Sequence, residues 1–195
     1  MEKRILFASD SWDESEWMYA SSSLYTYRHP FVQHSNCVSN LIPDFEGANF
    51  PYISMLYKEP QTGVFTVTTD CYFESYGAPI IVVSGDPEVL PNGNLQYGEH
   101  FEVVVYENGI NIWHLDFENG VRCALVRAKF PLEAREIHRL TVTVDVNEGK
   151  IIVSLRGHVA EYTVPCPALK TFKNVYAGIT ACEGTNRFYN FKLNK

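Results

Sequence analysis

No run of apolar residues in this chain approaches the roughly 20 that a helix needs to cross a bilayer, so the sequence predicts no membrane partner. Its opening, MEKRILFASD, has too few apolar residues before Asp10 for a secretory core. Basic charge is also scarce. Sixteen Lys and Arg stand against 23 Asp and Glu, a formal charge of −7, and no basic stripe forms, which argues against a nucleic-acid partner. Cys37, Cys71, Cys123, Cys166 and Cys182 are odd in number and lack paired spacing, so no full disulfide framework is implied. The absence of CxxC and HxxxH spacing removes the usual zinc patterns. These absences predict a cytoplasmic protein with reduced thiols and no cofactor.

Repeats, low-complexity tracts and long linkers are missing too. The chain therefore reads as a single domain over residues 1–195, with residues 1–30 as an N-terminal extension packed on it. No segment carries a sustained apolar stripe at helical spacing. The best helical candidate is Ser11 to Ala20, where Ser11 would cap and Asp13, Glu14 and Glu16 would favour the positive end of the helix dipole.

What the chain does have is turn chemistry between β-rich runs. Asn108-Gly109 and Asn119-Gly120 each separate such runs between Gly98 and Phe130, and Asn-Gly suits the positive φ angles of a two-residue type I′ hairpin. Candidate strands are Val32–Ser39, Tyr52–Tyr57, Val64–Tyr76, Ile80–Ser84, His100–Glu107, Ile110–Glu118, Val121–Phe130, His138–Val146, Lys150–Arg156, Val159–Val164, Val175–Ala181 and Arg187–Leu193. Short strands at this spacing predict an all-β, two-sheet antiparallel sandwich.

If both Asn-Gly pairs are two-residue loops, Glu107 faces Ile110 and Glu118 faces Val121, and every other pairing follows. One face then carries Phe101, Val103, Val105, Ile112, Val121, Cys123 and Leu125, interrupted by His114, Asp116 and Arg127. This is the expected inter-sheet core. The other face carries Glu102, Val104, Tyr106, Asn111, Trp113, Leu115, Phe117, Arg122, Ala124 and Val126. Rings flanked by polar groups suit a sugar, whose apolar face stacks and whose hydroxyls hydrogen-bond. In Val64–Tyr76, alternation sets Tyr72 and Glu74 on one side; if that strand joins the same sheet, they lie near Trp113 and Glu102. The expected ligand set is Tyr72, Glu74, Glu102, Tyr106, Asn111, Trp113 and Arg122. The competing reading is that these aromatics merely cover a sheet face.

The strands Phe101–Tyr106, Ile110–Phe117, His138–Val144 and Lys150–Leu155, with Tyr176–Ile179 and Phe188–Phe191, resemble those of the concanavalin A-like lectin/glucanase superfamily, and within it the laminin G-like jelly rolls. The resemblance implies a jelly roll that binds carbohydrate on its concave sheet. Retaining laminarinases and lichenases of that superfamily carry Glu-x-Asp-x-Glu on one strand, with nucleophile and acid about 5–5.5 Å apart. The nearest match is His114-Leu115-Asp116-Phe117-Glu118, in which His114 replaces the nucleophile, so that mechanism is disfavoured. His114 and Asp116 remain candidates for a general-base pair, and a simple His–Asp hydrogen bond is the plainer alternative. No Gly-x-Ser-x-Gly elbow accompanies them.

Near the C-terminus, Asn186 and Arg187 form a secondary candidate for clamping a hydroxyl or carboxylate, against a structural Glu183–Arg187 pair. The acid-rich stretch Ser9–Trp17 invites calcium through oxygen ligands, but it lacks an EF-hand glycine. The leading expectation is a carbohydrate-binding jelly roll without a catalytic signature, taking a carbohydrate or small polar ligand. The first alternative is a glycoside hydrolase-like enzyme drawing carboxylates from separate strands, such as Glu74 and Glu102. The second is a protein-interaction module using the aromatic face, and open sheet edges make a homodimer the expected assembly.

Overall fold

A computed structural model describes residues 2–8, 12–21, 31–41, 53–116, 118–158 and 161–195. Its strands, in chain order, are β1 (Glu2–Leu6), β2 (Trp17–Ser21), β3 (Phe31–Gln33), β4 (Val38–Leu41), β5 (Ile53–Tyr57), β6 (Val64–Ser84), β7 (Glu88–Val89) and β8 (Leu95–Gln96). They continue as β9 (His100–Tyr106), β10 (Gly109–Asp116), β11 (Val121–Lys129), β12 (His138–Asp145), β13 (Lys150–Leu155), β14 (Glu161–Pro165), β15 (Tyr176–Phe188) and β16 (Asn190–Asn194).

Two layers share β6 and β15. In the first layer, the opening half of β6 pairs with β12, followed outward by β13 and β14; on its other side lie β16 with β1, and the end of β15 with β4 and β3. In the second layer the order is β11-β10-β9-β6-β15-β5-β2-β8-β7, built on the closing half of β6 and the opening half of β15. The expected all-β sandwich is what forms.

The core follows from period-two alternation. In the first layer Phe65, Val67, Cys71 and Phe73 are buried, while the intervening Thr66, Thr68, Asp70 and Tyr72 are only half-buried. Leu140, Val142 and Val144 of β12 and Ile151, Val153 and Leu155 of β13 repeat the pattern and meet Met55, Ile81, Val83, Phe101, Val103, Ile112 and Ile179 from the second layer. The second layer differs in being covered on both faces near its centre. Ile80 to Val83 are all buried. Ile81 and Val83 enter the inter-layer core, while Ile80 and Val82 sit in small apolar clusters on the outer face.

Several boundaries differ from expectation. Val64–Tyr76 and Ile80–Ser84 are one strand that turns from one layer into the other around Gly77 and Pro79. A Cβ at Gly77 would lie 2.5 Å from Asn186 Oδ1 and 2.6 Å from Phe73 Cβ, so a glycine is what admits the bend. Val32–Ser39 is instead the hairpin β3–β4, closed by His34 N–H donating to the Cys37 carbonyl at 2.8 Å. Ser11–Ala20 is not a helix. Only Glu14–Glu16 makes a 3-10 turn, with the Asp13 carboxylate accepting from Ser15 N–H at 2.8 Å; Ser11 lies outside the described residues. Trp17 then joins a strand because its indole packs into the core, 5.1 Å from Phe191 and 5.6 Å from Tyr57 between ring centres. Within the first thirty residues, β1 pairs along its whole length with β16, and β2 with β5.

Candidate functional site

The three strands β9, β10 and β11 form the edge of the second layer, and their two turns set what the outer face presents. Tyr106 pairs with Gly109, so the first loop is Glu107-Asn108, not Asn108-Gly109. Gly109 alone supplies a positive φ (132°), and Asn108 keeps a negative one. The second reversal is wider: Asp116 pairs with Val121, and the Asp116 carboxylate accepts from Asn119 N–H at 3.1 Å and Asn119 Nδ2 at 2.7 Å. Both departures slip the register by two residues. An even slip changes partners and keeps faces, so the predicted division into core and outer faces survives along β9 and β10.

It fails in β11. A bulge between Ile112 and Trp113 leaves Leu125 unmatched, pairing Ile112 with Val126 and Asn111 with Arg127. From that point inward and outward exchange. Arg127, expected on the core face, emerges on the outer face, and Val126 turns inward against the core. Cys123, also expected in the core, is exposed; it sits on the edge strand, beyond the reach of the first layer's cover.

Trp113 lies directly between Glu102 and Ala124. Its indole is half-buried and rests on the outer cluster of Ala78, Ile80 and Val104, beside Cys182. The guanidinium carbons of Arg127 and Arg122 stand 5.3 and 6.0 Å from the Trp113 ring centre, and both arginines are exposed. Asn111, opposite Arg127, has a buried Oδ1 with no hydrogen-bond partner among the described residues. Tyr106 is half-buried at the end of β9. Glu102 is 4% exposed, with Oε1 3.5 Å from His100 Nε2. His100 is fully buried, stacks on Tyr97 at 4.5 Å and places Nδ1 2.8 Å from the Gly98 carbonyl. Burial pushes the Tyr97 phenol well above its ordinary range. The floor of this face is thus a packed polar–aromatic layer, and its exposed part is Trp113 with its two arginines.

The remaining candidates lie elsewhere. Tyr72 and Glu74 are on the outer face of the first layer, because that part of β6 pairs with β12 and with the end of β15. Ten residues of strand separate Tyr72 from Val82, the β6 residue opposite Glu102, up to about 33 Å of chain. Glu74 binds Arg187 at 3.1 Å, and Arg187 lies over the Tyr72 ring at 4.8 Å. Arg187 is therefore spent on Glu74, not on Glu183. Asn186 is fully buried; its Nδ2 donates to the carbonyls of Glu183 and Gly184, bracing the bend of β15. Glu74 and Glu102, on the outer faces of opposite layers, do not form a catalytic carboxylate pair.

His114 and Asp116 do not pair either. His114 stacks on Phe101 at 4.7 Å and sets Nε2 2.6 Å from Glu99 Oε1. Asp116 is occupied by its turn, where the Asn119 side chain, first among its hydrogen bonds, holds the carboxyl below the usual range. Phe117, expected on the outer face, lies outside the described residues, as do Ser9, Asp10 and Ser11 of the proposed calcium segment. Of that segment, Asp13 caps its turn and Glu16 pairs with Lys3. Among the described residues no group of three His, Cys, Asp or Glu side chains is placed to hold a metal.

No family model and no curated protein matches the sequence. Solved structures do match the fold. The carbohydrate recognition domain of Emp46p superposes with a TM-score of 0.65 at 9% identity, over 97% of this chain and 95% of that one. The carbohydrate-binding module CBM66 of Bacillus subtilis gives 0.63 at 11% identity, over 89% and 94%. A family 7 alginate lyase, A1-II′, gives 0.61 at 9% identity, over 93% and 95%. The architecture is the concanavalin A-like jelly roll.

Proposed function

We propose that the protein is a carbohydrate-binding jelly roll that takes its ligand on the outer face of the β9–β10–β11 edge, with Trp113 as the stacking surface. The observation that carries this reading is a half-buried indole seated on an apolar cluster, with the exposed Arg122 and Arg127 over its ring and Asn111 on the same face. Rings stack on the C–H face of a pyranose, and the surrounding donors and acceptors meet its hydroxyls. The jelly-roll neighbours named for carbohydrate recognition support the same reading at the level of architecture. Glu102, buried beside Trp113 in the β9–β10 ladder, and Tyr106, half-buried at the end of β9, lie on the same face. Tyr72, Glu74, Asn186 and Arg187 are not part of it.

The test is a glycan array of neutral and acidic oligosaccharides, followed by titration of the best binder. Trp113→Ala is expected to weaken binding at least about tenfold, the cost of losing one stacked ring and its buried area, and to lower the unfolding midpoint while the chain stays folded, since the indole also covers Ala78, Ile80 and Val104. Binding unchanged in Trp113→Ala refutes the site, and a chain that binds no glycan on the array refutes the function.

A further inference from the structure

Deepening the sugar-binding reading, on which it rests, we infer that the ligand is an acidic oligosaccharide whose carboxylates are held by Arg122 and Arg127. The bulge at Leu125 brings this about. It places Arg127 and Lys129 on the same outer face as Arg122, so that one edge strand of an acidic chain presents three exposed cations on the face that carries Trp113. None of the three makes an ion pair among the described residues, although Arg139, Arg187, Lys3, Lys150 and Lys195 all do. Arg122 and Arg127 share only the indole.

Both guanidiniums lie over the Trp113 ring, 5.3 and 6.0 Å from its centre, within cation–π range. Each guanidinium keeps its in-plane N–H fork for a partner, and that fork matches a carboxylate bidentately. Glu102, on the same face, is buried, with Oε1 3.5 Å from His100 Nε2. A neutral sugar would leave two forks half-used. A uronic acid ring beside Trp113 would use them fully.

The competing account is that these charges guard an open sheet edge against pairing with another chain. Calorimetric titration of the full chain separates the two. The probes are an oligomannuronate hexamer and its carboxyl-reduced, neutral counterpart, each at about 20 and about 300 mM NaCl, where screening differs several-fold in range. The expected result is that the uronate binds at least about tenfold more tightly than the reduced form at low salt, that added salt narrows the gap, and that Arg122→Gln/Arg127→Gln abolishes it. Equal affinity for the two forms overturns the inference and leaves the sugar-binding reading standing. A gap that persists in the double variant also overturns it, as does a double variant that self-associates without any change in affinity. Failure of both probes, together with an empty neutral array, overturns the sugar-binding reading itself.

Discussion

The clearest quantitative consequence of the structure lies on the outer face of the first layer, at Asp70. Its carboxylate accepts from Arg139 Nε at 2.6 Å, Arg139 Nη2 at 2.9 Å and Asn190 Nδ2 at 2.6 Å, while its own N–H donates to Asn190 Oδ1 at 3.2 Å. One side chain thereby ties β6 to β12 and β16. Asp70→Asn keeps the shape but offers one acceptor where two stood, and turns a donor toward donors. Hydrogen bonds to a charged group contribute about 1.5–3 kcal/mol. The Asp70 side chain is only 14% exposed, but that of Arg139 is 38% exposed, so solvent screening reduces the net loss to about 1–2 kcal/mol. The bidentate Arg139, above all, holds the Asp70 pKa below its ordinary value of 3.8, against the opposing effect of burial. A carboxylate with a depressed folded-state pKa stabilises fully above its unfolded value and loses that contribution as pH falls through the folded one. The stability gap between wild type and Asp70→Asn is therefore expected to be flat from pH 7 to about pH 5, to shrink below about pH 4 and to vanish at lower pH. Urea unfolding followed by tryptophan fluorescence at stepped pH measures it. A gap that stays constant down to pH 3, or widens there, refutes the assignment.

Two glycines separate conformational strain from collision. At Gly120 φ is +67° and nothing lies within 4 Å of where an added methyl would sit, whereas at Gly109 φ is +132° and a Cβ would meet the Ala128 carbonyl oxygen at 2.0 Å. Gly120→Ala should cost about 1 kcal/mol from the dihedral alone, and Gly109→Ala at least about 3 kcal/mol as the β10–β11 ladder opens; equal midpoints in urea would contradict the close approach. Cysteine labelling reads burial directly. Iodoacetamide at pH 8 should modify exposed Cys123 first, while Cys71 and Cys166, whose thiols burial pushes up to about 12, react only on unfolding. Rapid native labelling of Cys71, detected by mass spectrometry of peptides, would contradict its place in the core.

The fold is legible in the sequence because alternation is a local property. Phe101, Val103 and Ile112 face inward whichever residues form the turn, since both turns displace the register by two. The candidate site is legible only in part. Trp113, Glu102, Asn111 and Arg122 share a face by the same parity, but Arg127 does not, because the Leu125 bulge reverses parity without any glycine or proline to mark it. One trace of it is present in the sequence: Arg127, a charged residue that follows Val121, Cys123 and Leu125 on one side of its strand, is what a parity break produces. Tyr72 and Glu74 depart from expectation for a different reason. Their strand alternates as predicted, but Gly77 and Pro79 read as its end, so the crossing between layers is invisible in the sequence, and with it the distance from Trp113. The N-terminal strands escape detection because β1 is too short and too charged to announce itself, and finds its partner nearly the whole chain away, in β16.

Because β6 and β15 each belong to both layers, neither sheet has a boundary along which it could peel away intact. Pulling apart one sheet severs the central rungs of the other. Backbone amides from Val67 to Val83 should consequently exchange with solvent only through whole-molecule opening, at a common slow rate on either side of the bend at Gly77, and the chain should melt as one unit despite its two-layered build.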